Sequence, residues 1–156
     1  MRTALFPGSF DPFTRGHADI VSRGLNIFDE VLIAVGHNVQ KPGWIPMAER
    51  VRALSTFYAS EPRIRVETYS GLTADYARQA GVTAILRGIR NIKDFEYENE
   101  IAQVNREIAG VETVFILADP QLNSLSSSIV RELFHFGHGI LEYLPAGLNY
   151  ECLLNS

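Results

Sequence analysis

Cysteine is nearly absent from this chain. Its 156 residues contain one, Cys152. No internal disulfide can form, so a reducing compartment is the expectation. Long apolar runs are also missing, and none reaches transmembrane length. Too few apolar residues separate Arg2 from Pro7-Gly8 for a signal peptide. A soluble cytoplasmic protein with no membrane partner is expected. Positive charge is short: 14 Lys and Arg stand against 18 Asp and Glu, a net charge of -4. That speaks against the basic face of a nucleic-acid binder but leaves room for a pocket with a few local cations. The chain has no G-x-x-x-x-G-K-[ST], no G-x-G-x-x-G and no serine nucleophile elbow. His37, His135 and His138 lack a matching carboxylate or cysteine arrangement, so no structural metal site is expected.

What is present starts with Ala4-Leu5-Phe6-Pro7-Gly8-Ser9-Phe10-Asp11-Pro12-Phe13-Thr14-Arg15-Gly16-His17. A short apolar run ends in Pro-Gly, a tight polar turn follows, and Gly16-His17 opens an amphipathic helix. Free backbone N–H groups and the helix dipole at such a terminus stabilise an anion. Gly8 permits a strained backbone beside a ligand, Ser9 offers a hydroxyl, and Asp11-Pro12 favours a fixed turn. An ordinary strand-to-helix connector with a solvent-facing histidine is the plain alternative.

The chain alternates β-rich runs with helical periodicity, in a length that suits one domain over residues 1–156. Strands are expected at Thr3–Phe6, Glu30–Gly36, Ile64–Tyr69, Thr83–Leu86 and Thr113–Leu117. Between them, Ala18, Val21, Leu25 and Phe28 mark one helix, and Met47, Val51, Leu54 and Tyr58 a second, with Pro46 in its first position. Leu72–Ala80 reads as a third, stopped at Gly81. Arg87-Gly88-Ile89-Arg90 reads as a turn. From about Asp94, Tyr97, Ile101, Val104 and Ile108 stripe a long helix that ends near Gly110. Ser126 caps a helix that buries Ile129, Val130, Leu133 and Phe134, and a short helix follows Pro145. This is an α/β pattern: a Rossmann-like open parallel five-stranded sheet with helices on both faces. Ligands bind such sheets at the carboxyl ends of the strands, where strand order reverses. The polar motifs follow strand candidates one, two, four and five and would converge there.

The candidate residues follow from that placement. His17 can donate to a phosphate oxygen that gains charge. Arg87 and Arg90, after the fourth strand, suit bidentate phosphate binding; ion pairing with the acidic helix behind them is the alternative. Lys41, in a Pro/Gly loop, reads by itself as a solvated lysine. In Asp94-Phe95-Glu96-Tyr97-Glu98, one carboxylate turned inward could meet a ribose or an arginine. Asn123, Ser124 and Ser126-Ser127-Ser128 offer donors to a second anion at a second helix start.

Two motifs together resemble a known family. Thr14-Arg15-Gly16-His17 is similar to the T/H-x-G-H motif of the nucleotidylyltransferase superfamily, with Thr14 at the first histidine position. About a hundred residues later, Ser126-Ser127-Ser128-Ile129-Val130-Arg131 resembles that superfamily's second motif. Arg87-Gly88-Ile89-Arg90 and Asp94-Phe95-Glu96-Tyr97-Glu98 look like the R-G-[LI]-R and D-F-E-Y-E blocks of its phosphopantetheine adenylyltransferase family. Three departures are visible: Ser9 stands where threonine is common, Leu125 replaces an isoleucine, and Ala118–Leu122 differs from the usual loop.

The resemblance implies adenylyl transfer from ATP to 4′-phosphopantetheine, giving dephospho-coenzyme A and pyrophosphate. It implies Mg²⁺ carried by the ATP phosphates, a homohexamer and feedback by coenzyme A. It implies ATP contacts at Ser9, Phe10, His17, Gly88, Ile89, Arg90, Glu98, Leu122, Asn123, Ser124, Leu125, Ser126, Ser127 and Ser128. Phosphopantetheine contacts would fall on Ser9, Lys41, Leu72, Thr73 and Arg87, and the catalytic set would be His17, Lys41, Arg87 and Arg90. The nucleophile would be an already ionised phosphate, consistent with a sequence that shows no general-base dyad. Two other readings remain open: a sibling transferase for a nicotinate or nicotinamide nucleotide or an alcohol phosphate, and a non-catalytic nucleotide-binding module.

Overall fold

The computed structural model describes residues 1–37, 40 and 43–154. Five parallel strands run in the order β3-β2-β1-β4-β5. They are β1 (Thr3–Gly8), β2 (Glu30–Gly36), β3 (Ile64–Tyr69), β4 (Ala84–Ile89) and β5 (Glu112–Leu117). The helices are α1 (Arg15–Gly24), α2 (Met47–Phe57), α3 (Thr73–Ala80), α4 (Ile92–Ala109), α5 (Ser127–His135) and α6 (Glu151–Leu154). The expected Rossmann-like sheet is present. Strand order reverses between the central neighbours β1 and β4, which opens a crevice past their carboxyl ends.

Side chains alternate across the central strands, so each strand feeds two cores. Ala4, Phe6, Val31, Ile33 and Leu86 pack on one face with Val21 of α1, Leu54 of α2, and Leu144, Leu148 and Tyr150 of the C-terminal segment. Leu5, Leu32 and Ile85 pack on the other with Ala77 of α3 and Val111. Fully buried side chains such as Leu32 and Ile85 each contribute about 2 kcal/mol. Three helix ends follow the sequence signals: Ser126 accepts from a backbone N–H at the start of α5, and Gly81 and Gly110 close α3 and α4 at φ of 65° and 67°. Helix α4 begins earlier than expected, where Asn91 accepts from the Asp94 N–H.

Several boundaries differ from expectation. Arg87, Gly88 and Ile89 are strand, not turn. Pairing of Arg87 with Phe115, Gly88 with Ile116 and Ile89 with Leu117 carries β4 to the sheet's edge. Helix α1 ends at Gly24, so Leu25 and Phe28 lie beyond it, and Pro46 caps α2 rather than entering it. Ile129 is exposed; among the residues of α5, Val130 is the buried one. On α4, Tyr97, Val104 and Ile108 face outward, although their spacing reads as a core stripe.

Candidate active site

A cavity of about 280 Å³ lies in the crevice, walled by β1, the following turn, α1, β4, α4 and the start of α5. His17, at the third position of α1, forms one wall. Thr14 caps the helix: its hydroxyl accepts from the His17 backbone N–H, and its own N–H donates to His17 Nδ1 at 3.0 Å. Nδ1 is thereby an acceptor, and the ring proton sits on Nε2. The rings of Phe10 and Phe13 stand 5.1 and 5.3 Å from the imidazole. Burial first, then the charges of Arg87 and Arg90, push its pKa down to about 3. His17 is therefore a neutral hydrogen-bond donor at working pH.

The arginines occupy the opposite wall. Arg87 donates from Nε and Nη2 to both oxygens of Glu98, at 2.9 and 2.6 Å, and from Nη1 to Pro7 O at 2.7 Å. Arg90 donates from Nε and its backbone N–H to Asp94 Oδ2, each at 3.0 Å. Burial tends to raise the Asp94 pKa, but the hydrogen bonds and charge of Arg90 outweigh it and hold the carboxyl below its usual range. Asp94 and Glu98 are four apart on α4, so one helix face meets both cations. Here Glu98 is committed to an arginine, while Glu96 and Glu100 are exposed.

A second cavity, of about 160 Å³, lies on the α4 side. Pro7, Gly8, Arg87 and Glu98 line both cavities, so the Arg87–Glu98 pair stands between them. The second cavity also holds Tyr69, Thr73, Tyr97 and Asn105. The buried Thr113 hydroxyl in its wall has no hydrogen-bond partner among the described residues.

Of the sequence candidates, Ser9, Phe10, His17, Gly88, Arg90, Leu122, Leu125, Ser126 and Ser127 line the first cavity, and Arg87 and Glu98 line both. Thr73 reaches the second, where Tyr69 Oη lies 2.9 Å from its hydroxyl. Leu72 does not: it lies in an outer groove between α3 and α4. Ile89 is turned into the core, because strand alternation sends it away from the face that Gly88 presents. Asn123, Ser124 and Ser128 are exposed and line neither cavity. Lys41 is outside the described residues.

Sequence reasoning missed what holds the turn in place. The Asp11 carboxylate accepts from the backbone N–H groups of Trp44 and Ile45, both at 2.7 Å. Buried Arg50 donates to Ser9 O and Ile45 O. Arg131 donates to Asp11 O, and Ser127 Oγ to Pro12 O. The strain assigned to Gly8 sits instead at Phe10, a non-glycine at φ 48°. Gly8 supplies space, since a Cβ there would lie 2.9 Å from the Phe10 ring. The one local signal for this arrangement is Thr14-x-x-His17, a capping box with histidine in the glutamate position.

The first cavity thus offers a neutral donor, two guanidiniums and the start of α5 to an anion. A family model described as cytidylyltransferase-like matches residues 5–133. Phosphopantetheine adenylyltransferase of Porphyromonas gingivalis is 55% identical over 144 residues, covering 92% of this chain and 94% of that protein. The chain belongs to the phosphopantetheine adenylyltransferase family. Other family members agree: that of Phocaeicola vulgatus is 46% identical and that of Bacteroides fragilis 49%, across 97% and 95% of this chain and 100% and 99% of theirs. As a member of that family, the chain is a nucleotidyltransferase. A bifunctional NMN adenylyltransferase/ADP ribose pyrophosphatase from Francisella tularensis shares the fold, with a TM-score of 0.65 at 15% identity. The match covers 92% of this chain and 44% of that one.

No group of three or more His, Cys, Asp or Glu among the described residues is arranged to hold a metal. No helix among them is long and apolar enough to cross a membrane.

Proposed function

We propose that this chain transfers the adenylyl group of ATP to 4′-phosphopantetheine, forming dephospho-coenzyme A and releasing pyrophosphate. The observation that carries the reading is the pair of cavities meeting at Arg87 and Glu98. A two-substrate transfer needs two sites that touch at the reacting atoms. The first cavity suits a triphosphate. The second suits an amide-bearing arm: its walls are largely apolar, and Thr113 and Asn105 offer polar groups.

In the reaction, an oxygen of the acceptor phosphate bonds to the α-phosphorus of ATP, and the bond from that phosphorus to the bridging oxygen breaks. The electron pair leaves with pyrophosphate. An ionised phosphate needs no base, so the chain's task is alignment and charge neutralisation. Arg87 holds the acceptor phosphate with the N–H groups that Glu98 and Pro7 leave free, assisted by Lys41. His17 Nε2–H donates to a phosphate oxygen that becomes more negative, and as a neutral imidazole it does so by hydrogen bonding rather than by giving up a proton. Arg90, Ser126 and Ser127 with the α5 N-terminus receive the β- and γ-phosphates. Mg²⁺ arrives as part of the MgATP substrate and offsets phosphate charge. The nitrogen donors here suit phosphate oxygens, whereas magnesium takes oxygen ligands.

The same reading includes a cytoplasmic homo-oligomer, a hexamer by family resemblance. Exposed Leu72 just before α3, with Tyr97, Val104 and Ile108 on α4, supports an apolar interface there. Coenzyme A, carrying both the arm and an adenylyl group, would compete at both cavities. The test is pyrophosphate release from ATP, Mg²⁺ and a panel of phosphorylated acceptors. Release with 4′-phosphopantetheine well above the others is expected; release no greater than a heat-killed control overturns the reading.

A further inference from the structure

The residues after Gly139 form a strap across the α1–α2 face. Leu144, Leu148 and Tyr150 are buried in the core there. Arg15 Nη1 donates to Glu142 O and Arg52 Nη2 to Asn149 O, each at 3.3 Å. The Cys152 N–H donates to Glu49 Oε1 at 3.0 Å. The strap thereby grips the N-terminus of α1 and the body of α2.

One contact reaches further. The Phe13 backbone N–H donates to Tyr150 Oη at 3.0 Å, a buried bond spanning 137 residues. The carbonyl of the same peptide unit, Pro12 O, accepts from Ser127 Oγ at 2.7 Å. That peptide plane is therefore held at both edges by side chains remote in sequence. The next amide, that of Thr14, donates to His17 Nδ1 and fixes the proton on Nε2. The Phe13 ring between these amides packs against the imidazole. Rotating the Pro12–Phe13 plane would therefore move the Phe13 ring and the Thr14 N–H together, and the His17 ring with them. Tyr150 is 2% exposed, and burial pushes its hydroxyl up to about 12, so it remains a neutral partner.

We propose that Tyr150 is a positioning residue for adenylyl transfer: its hydroxyl sets the Pro12–Phe13 peptide plane and, through it, the orientation of His17. This rests on the functional reading above for its kinetic consequence, but not for its structural one. Tyr150→Phe keeps the ring and deletes only the acceptor, leaving a buried N–H unpaired.

Tyr150→Phe is expected to lower kcat about tenfold, with KM for ATP and for the acceptor within about twofold, as for a group acting on the transition state. Amide exchange at Phe13 and Thr14 should accelerate, and the imidazole ¹⁵N shifts of His17 should move away from a pure Nε2–H tautomer. Leu148→Val loosens the same strap without touching the hydroxyl, and its kcat should stay within about twofold of the parent. The proposal is overturned if Tyr150→Phe keeps the parent kcat, or if Leu148→Val loses as much activity at equal loss of melting temperature. Should the parent protein release no pyrophosphate with any acceptor, the functional reading fails alone; unchanged exchange and ¹⁵N shifts in Tyr150→Phe then overturn the positioning role. If Tyr150→Phe does not fold, 3-fluorotyrosine at position 150 weakens the acceptor while keeping the shape. A kcat that falls with acceptor strength supports the proposal, and an unchanged kcat overturns it.

Discussion

His17 is a neutral donor because three aromatic rings and two arginines surround it. Phe6, Phe10 and Phe13 remove water from its faces, and Arg87 and Arg90 oppose a third positive charge. His17→Ala should lower turnover by roughly 10²–10³-fold, the loss seen when one transition-state donor is removed. Pyrophosphate release checks this, with circular dichroism to show that the fold persists. The lowered pKa has a stability consequence. Between the folded value of about 3 and the unfolded value of 6.5, the unfolded chain binds the extra proton. The contribution is intact above the unfolded value and is lost as pH falls. Between pH 7 and 5 His17 should cost at most about 2 kcal/mol of stability. Urea unfolding at both pH values should show a smaller difference for His17→Gln than for the parent.

At the scale of elements, β4 delivers the cations and α1 delivers the histidine, so their spacing sets the width of the site. Gly88 allows the close approach. A Cβ there would stand 3.0 Å from Ile20 Cγ1 of α1, tighter than side chains ordinarily pack. Gly88→Ala should destabilise the protein by about 1–3 kcal/mol, the usual cost of overpacking. It should also raise KM for ATP, because α1 must shift away from the strand. Urea unfolding and steady-state kinetics test the two parts separately. Helix α4 matters through one face. Asp94 and Glu98 hold Arg90 and Arg87 in the crevice, which a solvated acidic helix could not do.

For the whole molecule, the outward apolar face of α4, with Leu72 beside it at the start of α3, is the feature a lone subunit does not explain. Val104 and Tyr97 are 50% and 64% exposed on a helix whose opposite side is packed. The proposed homo-oligomer would place this face at an interface, so Val104→Glu should lower the assembly state seen by sedimentation at micromolar concentration, while far-UV circular dichroism stays unchanged. An unaltered sedimentation coefficient would remove α4 from the interface. This face also shows why periodicity misleads: a 3.6-residue apolar stripe reads as a core face, yet on α4 Tyr97, Val104 and Ile108 are exposed rather than packed on this chain's own sheet.

Much of this protein was readable in the chain because the signals are local. Apolar runs of strand length, a glycine where φ turns positive and a serine cap specify β2, β3, α3 and α5 through contacts within a few residues. The strand–turn–helix at His17 and the serines before Ile129 mark, for the same reason, two helix starts that line the first cavity. Long-range contacts decided the rest. That β4 continues through Ile89 depended on its pairing with β5. That Glu98 faces Arg87, and that Ile89 and Leu72 lie away from the cavities, depended on how α4 and β4 are set against each other. The turn at Phe10–Phe13 is held by Arg50, Ser127, Arg131 and Tyr150, residues about 40 to 140 positions away. Composition and periodicity carry no record of such partners, because a hydrogen bond across that separation exists only after the sheet has brought its ends together.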